Sequence, residues 1–424
     1  MKLFSFKKNT LFTSSSIVFF FRIIGMTLSY TIMLIITNSF GAEIFGRYSI
    51  TLALVQFLVL ISSLGLTFSV LRLTADHNNF LNNKPLNKYL YKTVKVIFLS
   101  SITFAVVLFL IKEELAVKVF KDEKMGEYFK YLSFFLVFLV FHTFFSEFIR
   151  AKKKFQLYGF FMYSLPYLIF IIFLGFILFF DLNEYYIIKG YLCSITIVAI
   201  SLLLFFPFKV LKSKTEFSYK RLFSISFPMM FSATFIFVSE WTDIFMLGAM
   251  VSKAEVGVYN AAFKLATIAI VVINAVNTVL GPKIAELYGK NELLEIRKLI
   301  YKSTRLITIV TLPIIIISFR IEFLSFFGKE FIRGSGVLII VSIGLLFNAI
   351  SGSVAQLLNM TNHQKELRNI TIITVIINMT LNFILIPIYG IIGAAVASLI
   401  SNMGLNIICI LYIKKKFGFY TFVH

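Results

Sequence analysis

Several ionisable side chains of this 424-residue chain lie inside long apolar runs. Arg22 sits in SIVFFFRIIGMTLSY, Glu240 and Asp243 in FIFVSEWTDIFMLGAM, and Lys264 in VYNAAFKLATIAIVV. Glu147 and Arg150 stand three apart at the end of LVFHTFFSEFIR. In an apolar medium such residues are costly, and each marks a candidate site or a paired structural charge. A guanidinium binds phosphate oxygens bidentately, and an ammonium offers a compact positive charge. Glu240 and Asp243, three apart, share a helix face and suit a proton or a small cation. The bland readings stand beside these. Arg22 can snorkel to the surface. Asp243 and Lys264 can form a structural ion pair, and Glu147 with Arg150 an interfacial one. His142, in the same run as Glu147, reads as a buried hydrogen-bonded histidine rather than a proton relay.

Catalytic chemistry has little to stand on. The chain has no G-x-x-x-x-G-K-[ST] loop, no H-E-x-x-H or paired Cys/His spacing, and no nucleophile elbow. We therefore expect no catalytic residues, no resident metal and no cofactor beyond an H+ or Na+ coupling ion. Cys193 and Cys409 both lie in apolar runs and read as small core residues.

The elements that must position these charges follow from composition. The chain is 59% hydrophobic and only 14% charged, with mean hydropathy +0.90; soluble domains carry roughly 25% charged residues. Apolar runs of about 20 residues cross a bilayer as helices. The runs predict twelve spans: 15–38, 48–70, 91–111, 130–149, 159–180, 186–208, 224–249, 256–281, 300–319, 335–358, 370–389 and 392–413. The basic N-terminus leads into an uncleaved first span rather than a signal peptide. With twelve spans, 28 of the 41 Lys and Arg fall in or beside one set of alternating loops and 11 in or beside the other. Basic loops face the cytoplasm, which places both termini there. The net charge of +21 thus reads as orientation and lipid contact, not nucleic-acid binding. At 1.5 Å per residue, Arg22 lies about 10 Å in from the inner end of its span; Lys264 and Asp243 lie about 12 and 9 Å from the outer ends of theirs.

Two stretches nearly repeat. AEIFGRYSI begins at Ala42 and AEVGVYNAA at Ala254, with Gly46 and Gly257 separated by 211 residues. Each follows the first span of a six-span half. The fold expected is an all-α polytopic membrane protein: two parallel six-helix lobes, residues 1–210 and 211–424, around a central cavity suited to alternating access.

FGRYSITLAL (from Phe45), LGLTFSVLRLTAD with Arg72, FIRAKKKFQLY (from Phe148), the long segment Ser226–Ala266 and IPIYGIIGAAVASLIS (from Ile386) resemble the corresponding segments of polysaccharide exporters. The chain resembles a Wzx-type O-antigen flippase of the multidrug/oligosaccharidyl-lipid/polysaccharide exporter superfamily over its whole length. Ile244 stands where a basic residue often follows the span-7 acid, and no basic residue stands near Asn38. The resemblance implies an ion-coupled flippase that moves undecaprenyl-diphosphate-linked oligosaccharide to the outer leaflet of the bacterial inner membrane. Its lumen cations would be Arg22 and Lys264, with Asp243 and Glu240 as coupling or ion-pair groups and Arg72, Glu147 and Arg150 at an inner-surface gate. The implied partners are the polyprenyl-diphosphate-linked oligosaccharide, membrane lipid, a polysaccharide polymerase and a chain-length regulator. Two alternatives remain at this point: a cation-coupled multidrug exporter of the same superfamily, and a membrane-embedded polymerase.

Overall fold

Long apolar stretches with few helix breakers make long helices. The computed structural model describes residues 11–71, 84–206, 218–318, 320 and 322–422, and every regular element among them is helical. The principal helices are α1 (Leu11–Ser62), α2 (Lys84–Glu114), α3 (Lys124–Ala151), α4 (Leu165–Phe179), α5 (Tyr185–Leu202), α6 (Tyr219–Met250), α7 (Lys253–Thr267), α8 (Ile270–Gly289), α9 (Leu293–Ser318), α10 (Ser335–Ser351) and α11 (Gln364–Phe417).

Among the described residues nine helices are long and apolar enough to cross a membrane, or ten when the bent helix α6 is taken as one span. Twelve were expected. The difference of two lies in the longest helices, α1 (52 residues) and α11 (54 residues). At 1.5 Å per residue each runs about 80 Å, far beyond the ~30 Å hydrocarbon thickness. Each is broken by a glycine in a backbone conformation that a side chain disfavours: Gly41 at φ 80° and Gly390 at φ 56°. Each therefore carries two expected spans across a kink.

The chain divides into two compact units, Met1–Ile35 with Thr51–Phe237, and Ile36–Ile50 with Val238–His424. In the first, α3 packs on α2 and α5, and α4 packs on α5. In the second, α10 packs on α7, α9 and α11, and α8 packs on α9.

The segment Ile36–Ile50 shows why the glycine repeat exists. The Gly41 kink breaks the hydrogen-bond ladder, and the Ala42 N–H instead donates to Glu330 Oε1 at 2.6 Å. The Glu330 carboxylate thus caps the restarted helix, where negative charge is favourable. Helix α7 starts with its own capping box. Ser252 Oγ accepts from Glu255 N–H while Glu255 Oε2 accepts from Ser252 N–H. The two capped segments then cross backbone to backbone. A Cβ on Gly46 would overlap the Lys253 carbonyl oxygen, and a Cβ on Gly257 would overlap the Ala42 carbonyl oxygen. Gly46 with Gly257 and Ala42 with Lys253 are both pairs 211 residues apart, so these contacts are reciprocal, as a local two-fold axis between the copies requires. The same offset joins Asn260, which donates to Ser49 Oγ at 2.6 Å.

Glu330→Ala leaves the Ala42 donor uncapped, and we expect a loss of about 1 kcal/mol of stability. Thermal unfolding of the purified chain in detergent checks this; an unchanged midpoint would show that the cap contributes nothing.

Candidate functional site

Two polar constellations lie within the helices, one in each unit. In the second unit Asp243, on α6, is surrounded by neutral donors. Tyr259 on α7 donates its hydroxyl to Asp243 Oδ2 at 2.5 Å, and Ser398 on α11 donates to the same oxygen. Asn382, also on α11, donates Nδ2 to Asp243 Oδ1 at 2.7 Å and to Asn378 Oδ1 at 3.1 Å. Asn378 in turn donates to Ser398 and Ser401, each at 3.3 Å. The Asn382 side chain is buried and its Oδ1 has no hydrogen-bond partner. Asp243 faces a cavity of ≈ 310 Å³ whose walls include Glu240, Thr267, Asn348, Asn378 and Asn402. Glu240 and Asp243 therefore do share a face, as their spacing predicts.

The carboxylates of Asp243 and Glu240, the Ser398 hydroxyl and the Asn378 amide oxygen in this wall are hard oxygen donors. With Asp243 at their centre and held by neutral donors, they suit a monovalent cation or a proton. No group of three or more His, Cys, Asp or Glu that could hold a metal ion is found among the described residues.

Of the two readings left open for Asp243 and Lys264, the ion pair is not formed: Asp243 takes its bonds from Tyr259, Asn382 and Ser398. The reason lies in the turn of α7. Tyr259 and Lys264 are five residues apart, about 140° around a helix of 3.6 residues per turn. With the tyrosine aimed at Asp243, the half-buried lysine is aimed elsewhere.

In the first unit Arg22, exposed on α1, lies over the Tyr163 ring, its guanidinium carbon 5.4 Å from the centroid. Among the described residues no carboxylate pairs with it. Tyr163 belongs to a wide helical turn, Phe160–Ser164, that precedes α4. A Cβ on Gly25, one turn after Arg22, would overlap the Tyr163 carbonyl oxygen, so α1 and this turn meet backbone to backbone. The polar chain continues inward. The Tyr163 and Tyr158 hydroxyls are 3.3 Å apart, Tyr158 donates to Glu147 Oε1 at 3.2 Å, and Arg150 bonds Glu147 Oε2 at 3.2 Å. Arg150 also lies over the Tyr158 ring, 5.3 Å from its centroid. Glu147 and Arg150 are thus the expected pair, tied by two tyrosines to Arg22. Arg72 lies outside the described residues.

Reading from residue types missed Asn378, Asn382, Ser398, Tyr158, Tyr163 and Glu330. The i,i+4 spacing of Asn378 and Asn382 in an apolar helix was the available signal. Tyr259 and Asn260 both bond between helices, to Asp243 and to Ser49.

Comparison with known proteins gives a consistent class. Residues 8–288 match the family model described as polysaccharide biosynthesis protein, and residues 228–384 match the MatE model. The chain is 30% identical over 165 residues to the "Probable low-salt glycan biosynthesis flippase Agl15" of Haloferax volcanii, covering 38% of this chain and 35% of that protein. It is 26% identical over 187 residues to the capsular polysaccharide biosynthesis protein CapF of Staphylococcus aureus, covering 43% of this chain and 47% of that one. These matches span about a third to a half of the curated relatives' length. In fold, the chain superposes on an inward-facing multidrug resistance MATE family transporter with TM-score 0.78 at 12% identity, covering 94% and 98% of the two chains. It superposes on the lipid II flippase MurJ, in an inward closed conformation, with TM-score 0.76 at 16% identity, covering 95% and 87%.

Proposed function

The chain belongs to the polysaccharide biosynthesis protein family, and on that premise we propose that it is a flippase. Its cargo is a lipid-linked oligosaccharide, carried on undecaprenyl diphosphate and moved from the cytoplasmic to the outer leaflet of the bacterial inner membrane by alternating access. The glycan is an O-antigen or other surface polysaccharide repeat unit, handed on to a polymerase and its chain-length regulator. Both termini face the cytoplasm. The observation that carries this reading is Arg22: a guanidinium on an apolar helix, seated on a tyrosine ring, without a carboxylate partner among the described residues. A fixed positive charge of that kind calls for an anion, and the diphosphate between sugar and polyprenol supplies one. Lys264 is the second contact, in the outer half of the path. The Asp243 cavity holds the coupling ion, H+ or Na+, with Glu240 in its wall.

The MatE match over residues 228–384 and the same cavity support a second reading, a cation-coupled exporter of cationic drugs. One experiment separates the two. In cells lacking the gene, surface glycan and the lipid-linked intermediate are followed together after complementation. Wild type is expected to clear the intermediate from the cytoplasmic leaflet. Arg22→Gln is expected to slow export by roughly 10- to 100-fold, the loss of one charge-assisted bidentate contact. Lys264→Gln is expected to act in the same direction. Normal export by Arg22→Gln would overturn the anion site. Normal glycan in the deleted cells, with altered sensitivity to cationic drugs, would favour the exporter.

A further inference from the structure

The wide turn that carries Tyr163 has a backbone defect with a specific remedy. In an α-helix the Phe161 carbonyl would accept from the Leu165 N–H. Here that N–H goes one residue further back, to the Phe160 carbonyl. The next donor in this wider register is residue 166, a proline, which has no N–H. Both backbone donors for the Phe161 carbonyl are therefore lost, one to the wide turn and one to Pro166. An unpaired carbonyl in an apolar interior is costly. His142, buried on α3, supplies the missing bond: its Nε2 donates to the Phe161 oxygen at 3.1 Å.

The turn matters because of what it aims. Single wide turns insert one extra residue into a helix and recur at functional sites. An extra residue rotates everything on one side of it by about 100° relative to the other. In this turn that rotation sets Tyr163 against α1, where its ring lies beneath Arg22 and its hydroxyl meets Tyr158. Ser164, the last residue of the turn, bonds the Phe21 carbonyl on α1 at 3.4 Å. The turn is thus anchored to α3 by His142 and to α1 by Ser164.

We infer that His142 is a positioning residue for the Arg22 anion site: by bonding the carbonyl that Pro166 orphans, it holds the turn that places Tyr163 under the guanidinium. This inference rests on the flippase reading, in which Arg22 meets a diphosphate. It gives the buried histidine a role in substrate affinity without substrate contact, and it makes His142 and Pro166 one device.

The test uses the full chain in detergent micelles and a short-chain prenyl diphosphate as the probe, with affinity and thermal midpoint read together. Arg22→Gln is expected to weaken binding by about tenfold or more. His142→Phe keeps the ring volume without the donor, and is expected to weaken binding by about fivefold. His142→Gln, whose amide N–H can reach the same carbonyl, is expected to restore most of it. In the Arg22→Gln background His142→Phe is expected to cost no further affinity, since the guanidinium it positions is gone. A role in folding alone predicts a lower midpoint in both backgrounds, with the same factor in affinity in each, and that result overturns the proposal. Unchanged binding by His142→Phe overturns it as well. Where His142→Phe fails to fold, the double variant His142→Phe/Pro166→Ala serves: its alanine returns the backbone N–H that the Phe161 carbonyl lacks in the wide register. It is expected to fold and to bind the probe within about twofold of wild type, and binding by it as weak as that of Arg22→Gln would sink the proposal. Unchanged binding by Arg22→Gln is a separate outcome, since it removes the anion site itself.

Discussion

Gly257→Ala is expected to destabilise the chain by about 3 kcal/mol, the upper end of what one inserted methyl group costs in a packed interior. The added Cβ would overlap the Ala42 carbonyl oxygen, and the neighbouring contact at Gly46 is the Lys253 carbonyl oxygen. Neither obstacle is a side chain that can change rotamer, so relief requires the two helices to separate. Separation would also stretch the Asn260–Ser49 bond, 2.6 Å long and buried. Small residues allow such close backbone approach between membrane helices, and packing rather than water drives their association. Gly175→Ala is the control. A Cβ there meets nothing within 4 Å, so it is expected to be neutral or to stabilise α4 by a few tenths of a kcal/mol. The two variants are compared by thermal unfolding in the same detergent. A Gly257→Ala protein with the wild-type midpoint would mean that the crossing is looser than its geometry implies. Gly46→Ala probes the same crossing, so its cost and that of Gly257→Ala should not add.

The crossing shows how far this architecture was legible in the residues alone. Two glycines 211 residues apart within similar neighbours predicted a repeated element, because only a required close approach or turn makes glycine recur in helical context. They could not predict that the copies would pack on each other, since chain spacing carries no information about which faces meet. Helix existence followed from apolar length. The breaks at Gly41 and Gly390 fall where expected spans end, and at each a single non-helical glycine turns the chain from one span into the next without a loop. Pairing of charges was the least legible feature. Asp243 and Lys264 lie at similar expected depths, but depth is one coordinate and helix rotation is another. Rotation was set by Tyr259, a residue whose hydroxyl has many uses in a bundle. Asn378, Asn382 and Ser398 escaped notice for the same reason: neutral polar residues commonly join membrane helices, and their convergence on one carboxylate is a property of three helices together. The capping role of Glu330 depends on the kink at Gly41, 289 positions earlier in the chain, and no local pattern around Glu330 announces it.

The largest functional effect is expected at Asp243. Asp243→Asn removes the charge while keeping the shape, and most of the surrounding network can follow the change. The new carboxamide can present its oxygen to Tyr259 and Ser398, which both donate to Asp243 Oδ2. Its amino group then faces Asn382, whose Oδ1 is buried without a partner. A flip of the Asn382 amide turns that oxygen toward the new donor but takes its amino group away from Asn378 Oδ1, to the side where no partner stands, so one buried donor is left without a bond. We therefore expect a stability loss of about 1–3 kcal/mol, the cost of one stranded buried donor. Asp243→Leu is expected to do worse, because it strands three donors at about 1–3 kcal/mol each. Transport should separate from stability. A cation in this cavity loses the carboxylate at its centre in Asp243→Asn, and export is expected to fall by about 100-fold or more. The same variant should lose any rise in thermal midpoint that Na+ or a change of pH confers on wild type, since an ion that binds only the folded protein stabilises it by mass action. If Asp243→Asn exports normally and keeps that ion response, the cavity beside Asp243 is a structural polar cluster and coupling lies elsewhere. If it folds, loses export and loses the ion response together, the carboxylate is the coupling group.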